Sequence, residues 1–321
     1  MKRVIITGAS GFIGANLTRR VLREGHETHL LLRSAHQPWR LEEILGDVHC
    51  HEAALEDRET VSRVIHAIRP DWVFNLAAYG GYPSQTGIER MVSTNLLGCA
   101  ALVDACVQVG IEAFVQTGSS SEYGYKDHAA REDERVQPNS HYAITKVAAT
   151  HYCQLAAQLH GLNTVTVRLY SIYGPYEEPT RLIPTLIGYG TRGQFPPLVS
   201  PWIARDFVHV DDAVEAILQV ATMKPARGGV VYNVCSGTQS RLESVVAIVR
   251  KHMNIAAEPV WGSMQPRSWD TDTWCGSPDL MAQQVGWRSK LDLEAGLRIT
   301  IDWFKSNSKW LEFYADRIFQ A

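Results

Sequence analysis

The sequence predicts an α/β chain: a doubly wound parallel sheet with a smaller, interleaved C-terminal lobe. Three observations predict it. Short apolar runs alternate with helical patterns over the first two-thirds of the 321 residues, as strands joined by crossover helices do. Those runs are near-continuous rather than alternating, as expected for strands covered on both faces. After Tyr173 the regularity gives way to a proline-rich stretch and then to a tail holding six of the nine tryptophans, Trp261, Trp269, Trp274, Trp287, Trp303 and Trp310.

Arg3–Thr7 reads as the first strand, followed by a glycine-rich turn and a helix through Leu22. Thr28–Leu32 reads as the second strand and Val48–His51 as a weak third. A helix from about Glu59 to Ile68 leads into a strong fourth strand, Trp72–Ala78. A long helix over Glu89–Val109 precedes a fifth strand at Ala113–Gly118. An alanine-rich helix, Ser140–Leu159, precedes a sixth at Thr164–Leu169. Pro175, Pro179, Pro184, Pro196, Pro197 and Pro201 then break the pattern. A helix over Asp211–Thr222 and a strand over Val230–Val234 can rejoin the sheet. The expected division is a sheet domain over 1–174 plus about 205–236, and a lobe over about 175–204 and 237–321.

Composition narrows the function. Hydrophobic residues make up 45% and charged residues 20%, with a net charge of −3, an ordinary globular balance. No basic excess or stripe marks a nucleic-acid binder. No run approaches the roughly 20 consecutive apolar residues of a membrane span, and the N-terminal apolar stretch is too short for a signal peptide. A soluble, cytoplasmic protein is the expectation. The six cysteines are scattered and never form C-x-x-C, which argues against a zinc site or a disulfide framework. His49 and His51 share one face of the weak third strand, and no acidic or cysteine residue is read as a partner joining them there. They read as polar residues on a solvated face, and no metal is expected.

The first turn, Gly8-Ala9-Ser10-Gly11-Phe12-Ile13-Gly14, lies between a strand and a helix. Small residues there let the backbone approach a pyrophosphate, and the helix N-terminus offers unpaired N–H groups. A Rossmann-type dinucleotide site is therefore expected. The second strand ends Leu32-Arg33-Ser34, with no acid for a ribose 2′-hydroxyl and with Arg33 placed to attract a 2′-phosphate. NADP is preferred over NAD on that ground. Tyr142 and Lys146 stand one helical turn apart on one face, just after Gly118-Ser119-Ser120-Ser121-Glu122-Tyr123-Gly124 at the end of the fifth strand. A nearby ammonium and a nicotinamide cation favour the phenolate, so Tyr142 is expected to have a lowered pKa and to exchange a proton with a sugar or alcohol hydroxyl.

With these residues the chain resembles the extended short-chain dehydrogenase/reductase family, in its nucleotide-sugar epimerase/dehydratase branch. The likeness runs over nearly the whole length. It rests on Gly8/Gly11/Gly14, Asn75-Leu76-Ala77-Ala78, Asn95 with Gly98, Tyr142/Lys146, Tyr173-Gly174-Pro175, Arg205-Asp206-Phe207-Val208-His209, Asn233-Val234 with Ser236-Gly237, and Gly286-Trp287. The resemblance implies Tyr142, Lys146 and Ser119 as the catalytic set. It implies a cofactor surface of Gly8, Gly11, Phe12, Ile13, Gly14, Arg33, Ser34, Leu55, Ala77, Ala78, Asn95, Tyr142 and Lys146. A nucleoside-diphosphate sugar would meet Tyr79, Ser120, Ser171, Arg205, Arg267 and Asp270, with the two arginines on its diphosphate. The alanines of the Ser140–Leu159 helix read as close helix packing, and the resemblance implies a homodimer through that helix.

Four departures shape the expected reaction. Ser120-Ser121 stand where the family's 4,6-dehydratases carry Asp-Glu, and Glu122 comes one place late, so dehydration is disfavoured unless the chain slips by one residue. Ser171 replaces a common Asn. Ala54 replaces a common Asp beside the adenine. Ala78-Tyr79-Gly80-Gly81-Tyr82 differs from the usual substrate loop. The expectation is hydride transfer at sugar C4 by an NADPH-dependent 4-keto-sugar reductase. The alternatives are a 4-epimerase with tightly bound cofactor, then a dehydratase or decarboxylase, then a non-catalytic NADP-binding regulator.

Overall fold

The computed structural model describes residues 1–223, 228–265 and 270–320. Seven strands form one parallel sheet: β1 (Arg3–Thr7), β2 (Glu27–Leu32), β3 (His49–Glu52), β4 (Trp72–Asn75), β5 (Ala113–Ser119), β6 (Thr164–Leu169) and β9 (Val230–Val234). Their order is β3-β2-β1-β4-β5-β6-β9. Order reverses between β1 and β4, and ligands bind such sheets at the carboxyl ends of the strands near that point. The strand at Val230–Val234 does rejoin the sheet, beside β6. The fourth strand is shorter than expected and stops at Asn75, because Asn75 and the turn after it enter a polar network at the sheet's end.

Strand periodicity sends alternate residues to opposite faces. Val4, Ile6 and Phe74 pack with Leu17 and Val21 of α1 (Phe12–Arg23) and with Ile217 and Val220 of α7 (Val210–Thr222). Ile5, Val73 and Phe114 pack on the other side. Their partners are Val61 and Ile65 of α2 (Arg58–Ile68), Leu102 of α4 (Gly98–Val109), and Ala149 and Cys153 of α5 (His141–His160). Each such buried aliphatic side chain contributes about 1.5–3 kcal/mol. Ser140 caps α5 by accepting from the Ala143 N–H at 3.2 Å, and Gly161 ends it at φ 67, a left-handed stop that suits glycine.

The run Ile88–Val109 is continuous: α3 (Ile88–Met91), a π-helical segment Val92–Leu97, then α4. It is long and apolar enough to cross a membrane, contrary to the reading from consecutive residues. Its C-terminal half is core, since Cys99, Leu102, Val103 and Cys106 are fully buried against the sheet, while Ile88, Val92 and Leu97 are exposed.

A separate core builds the lobe. It joins α6 (Leu182–Gly190), α8 (Leu242–Met253), α10 (Leu293–Ser306) and α11 (Ser308–Phe319), with a small sheet of β7 (Ser171–Tyr173), β8 (Ala204–His209) and β10 (Gln239–Arg241) alongside. A short helix, α9 (Asp279–Gln284), instead packs on the first core through Met281. Trp39, from the segment after β2, sits in the lobe core against Trp310 and Phe313. Trp287 and Trp310 are buried as packing residues, and Trp269 lies outside the described residues.

Candidate active site

The turn after β1 is held by contacts that tolerate little beyond glycine. Gly8 has φ +68, and a Cβ there would lie 2.6 Å from the Ala77 nitrogen. A Cβ on Gly14 would lie 2.3 Å from the Gly8 carbonyl oxygen. Gly11 caps α1 with no side-chain acceptor, so the first-turn N–H groups of Phe12, Ile13 and Gly14 have none of the usual capping partner. That cradle fits the pyrophosphate of a dinucleotide. Arg33 and Ser34 are exposed just past β2. Leu55 touches α4 so closely that a Cβ on Gly98 would meet its Cβ at 2.6 Å.

The neighbouring loop is fixed by a chain of hydrogen bonds. Thr7 Oγ1 donates to Asn75 Oδ1 at 2.6 Å and accepts from the Ala77 N–H at 3.2 Å. Ala78 is exposed beside it. Asn95, in the π-helical segment, accepts from the Tyr79 N–H and donates to the Tyr79 carbonyl, both at 2.8 Å, and also donates to Thr145 Oγ1 at 2.9 Å. Its amide therefore positions the Tyr79 loop. The Tyr79 ring lies 4.6 Å from the Arg90 guanidinium.

Ser119, Tyr142 and Lys146 come together. Ser119 ends β5, and its hydroxyl reaches the Tyr142 phenol and Ser121 Oγ, the latter at 2.8 Å. Lys146 is almost wholly buried, with Nζ 6.0 Å from the Tyr142 ring centre. The electrostatics correct one expectation. Burial, with the charge of Glu122 adding to it, pushes the Tyr142 phenol up to about 12 rather than down. Burial pulls the Lys146 ammonium down, against the pull of Glu122. In the protein alone desolvation of the phenol outweighs the opposing pull of Ser119 and Arg181.

Glu122 does not slip toward the substrate. It is fully buried and accepts from the Ser119 N–H at 2.8 Å, Thr150 Oγ1 at 3.1 Å and Arg168 Nε at 3.0 Å. Ser120 accepts instead from Trp274 Nε1 at 3.0 Å, a tie that links the serine loop to the tryptophan-rich tail.

Of the residues expected at the substrate, Arg205 and Asp270 are brought together. Arg205 Nη2 lies 3.4 Å from Asp270 Oδ1, and its Nη1 donates to the Ala204 carbonyl at 2.7 Å. Ser171 opens β7, in register with Phe207. Arg267 lies outside the described residues. Sequence reasoning missed Arg181, Tyr82 as a member of this set, and Glu177. Arg181 and Tyr82 both act electrostatically on Tyr142. Glu177 is buried, has no partner for Oε2, and is pushed up to about 8 by desolvation. The available signal was Tyr173-Gly174-Pro175 immediately before it, a turn already singled out.

A strand–glycine turn–helix cradle facing a Ser–Tyr–Lys set defines a nicotinamide-dependent enzyme of the short-chain dehydrogenase type. The chain belongs to the NAD dependent epimerase/dehydratase family, whose model matches residues 4–235. It is 28% identical to a dTDP-glucose 4,6-dehydratase of Streptomyces griseus, over 96% of each chain. Among solved structures, a Thermus thermophilus UDP-glucose 4-epimerase in complex with NAD is 29% identical. It has a TM-score of 0.82 and covers 94% of this chain and 99% of its own. The fold is shared with a Thermotoga maritima UDP-glucose 4-epimerase at a TM-score of 0.86 and 24% identity, covering 95% of this chain and 99% of its own.

Proposed function

We propose that this chain is an NADPH-dependent reductase of a nucleoside-diphosphate 4-keto sugar. The observation that carries the reading is the destination of Glu122. Dehydration needs an acid and a base beyond the tyrosine. Here two serines follow Ser119, and the next carboxylate is spent on Arg168 inside the protein. Tyr142 is left as the proton-moving group next to Ser119. Its phenol, kept protonated by burial, is the form a ketone reduction calls for.

A nicotinamide dinucleotide, when bound on the glycine cradle, supplies the hydride. Tyr142 gives its phenolic proton to the carbonyl oxygen, and Ser119 donates a hydrogen bond to the same oxygen. Lys146, one helical turn on, offsets the charge left on the phenolate. Ketone, hydride and proton sum to the secondary alcohol. Arg33 supports NADP over NAD, because it is exposed with no ion pair among the described residues. Arg205, and Arg267 on the family's pattern, would hold the diphosphate, which must compete with Asp270 for the first guanidinium. A homodimer through α5 is part of the proposal, since Ile144, Leu155 and Leu159 are exposed on it.

The 4-epimerase is the second reading, favoured by the likeness to the NAD-bound Thermus 4-epimerase. Incubation with a panel of nucleotide sugars and their 4-keto forms, with NADH and NADPH in parallel, separates the two by mass spectrometry. A product two mass units above a 4-keto sugar, with stoichiometric NADPH oxidation, is expected. Protein purified with tightly held NAD that equilibrates C4 epimers without added reductant would overturn the reductase.

A further inference from the structure

The parallel pairing of β2 with β3 gathers imidazoles and a carboxylate far apart in sequence. His29 pairs with His49, and Leu31 with His51. Side chains two apart on a strand share a face, so Glu27, His29, His49 and His51 all lie on one face of the sheet's outermost strand pair. A carboxylate on the same face as His49 is thus supplied across the register, by Glu27 of β2.

The geometry of this group is that of a metal-binding corner. One ligand atom each from Glu27, His29 and His49 lie within 4.8 Å of one another. His29 Nε2 faces Glu27 Oε1 at 2.9 Å, and its ring stacks on that of His49 with centres 4.8 Å apart. The other nitrogen, His29 Nδ1, is 3.0 Å from His51 Nε2. A tetrahedral site with metal–ligand bonds of about 2.0–2.2 Å separates its ligand atoms by roughly 3.3–3.6 Å, a spacing that small side-chain rotations reach from atoms lying within 4.8 Å of one another. Metal-bound imidazoles characteristically donate their second N–H to an acceptor that fixes the ring. His51 stands where that acceptor belongs. His29 is nearly buried, Glu27 is half-buried and His49 is exposed, so the corner is held from within and reached from solvent.

We infer that Glu27, His29 and His49, with His51 orienting His29, bind one divalent transition-metal ion of the zinc class. Nitrogen with one carboxylate oxygen suits that class, and the site holds no thiolate that would favour a softer ion. The ion clips β3 to β2. That strand is short and mostly exposed, with only His51 half-buried, so little apolar packing secures it. The corner lies toward the amino ends of these strands, whereas the cofactor cradle is at the carboxyl ends, so the role is structural.

The test uses purified full-length chain treated with chelator and titrated with zinc by calorimetry, with melting temperature read in parallel. One zinc per chain at micromolar or tighter affinity is expected, with a rise in melting temperature. His49→Ala and Glu27→Gln should each weaken binding at least tenfold, and His51→Ala about 10–100-fold, the range for a residue that orients a ligand. His128→Ala, at an exposed histidine beside Asp127 and Glu134, and Cys50→Ser should bind zinc as the wild type does. His49 is exposed, so its replacement tests the site without loss of core. Failure of the wild type to bind zinc at micromolar concentration would overturn the inference. So would His49→Ala binding within threefold of wild type.

Discussion

Two buried glutamates, one acting on the active-site phenol and one in the turn after β7, have opposite surroundings. Glu122, after β5, has both carboxylate oxygens engaged by Arg168, Thr150 and the Ser119 backbone. Glu177, after the Tyr173-Gly174-Pro175 turn, has Arg181 at 3.9 Å and the Gly174 backbone N–H as its nearest partners, and Oε2 has none among the described residues. Burial is common to both, so burial does not decide what a carboxylate does. The hydrogen-bond partners each carboxylate finds decide. Glu122 is locked as part of the scaffold beneath Ser119, while Glu177 remains a group that takes up and releases protons near neutrality.

The proposed function assigns proton transfer at the substrate to Tyr142 and to neither glutamate. Tyr142→Phe should lower the reaction rate by about 10²–10⁴-fold and leave the melting temperature nearly unchanged. Steady-state rates and thermal melts on the same preparation check this. Retention of rate within tenfold would break the assignment. Glu122→Ala should behave in the opposite sense. It strands the Arg168 guanidinium in the interior, a loss of roughly 3–5 kcal/mol, measured by urea denaturation. A variant that folds normally yet is inactive would mean that Glu122 reaches the substrate after all.

The sequence reveals the two regions unequally. The glycine turn is legible because its chemistry is local: Gly8, Gly11 and Gly14 act through backbone shape within one strand–helix turn. Tyr142 and Lys146 are legible for the same reason, being one helical turn apart. The sheet follows from apolar runs whose faces are both covered. Glu122 is not legible, since its partner Arg168 comes from the adjacent strand β6 and an exposed catalytic acid would have the same neighbours in sequence. Glu177 is hidden more deeply. Its burial depends on Tyr314 of α11, whose hydroxyl bonds the Glu177 carbonyl, and on Arg40, whose Nε holds the Tyr176 carbonyl at 2.7 Å. The direction of the phenol's shift is not legible in the sequence either, because desolvation is a property of the packed interior.

The titratable glutamate gives a pH prediction with a definite sign. In the unfolded chain Glu177 has its ordinary value near 4.5, and in the folded chain about 8. Between these values the folded state binds the extra proton, so stability falls as pH rises through the window and levels off above it. At about 1.36 kcal/mol per unit, the loss is on the order of 5 kcal/mol. Glu177→Gln removes it. Relative to wild type, the variant should gain melting temperature at pH 9 and match it below pH 4.5. Parallel melts that keep a constant offset across that range would show Glu177 paired like Glu122.

The smallest effect probes how completely Glu122 is satisfied. Thr150 is buried and gives its hydroxyl to Glu122 Oε2, the oxygen that also faces Arg168. Thr150→Val keeps the shape and removes the donor. A hydrogen bond to a charged group contributes about 1.5–3 kcal/mol. The low end is expected, because Arg168 Nε and the Ser119 N–H remain. The reaction rate should hold, since neither Ser119 nor Tyr142 loses a contact. If chemical denaturation instead gives a loss as large as that of Glu122→Ala, the three contacts act as one cooperative unit. The serine loop would then owe its position to Thr150 as much as to Arg168.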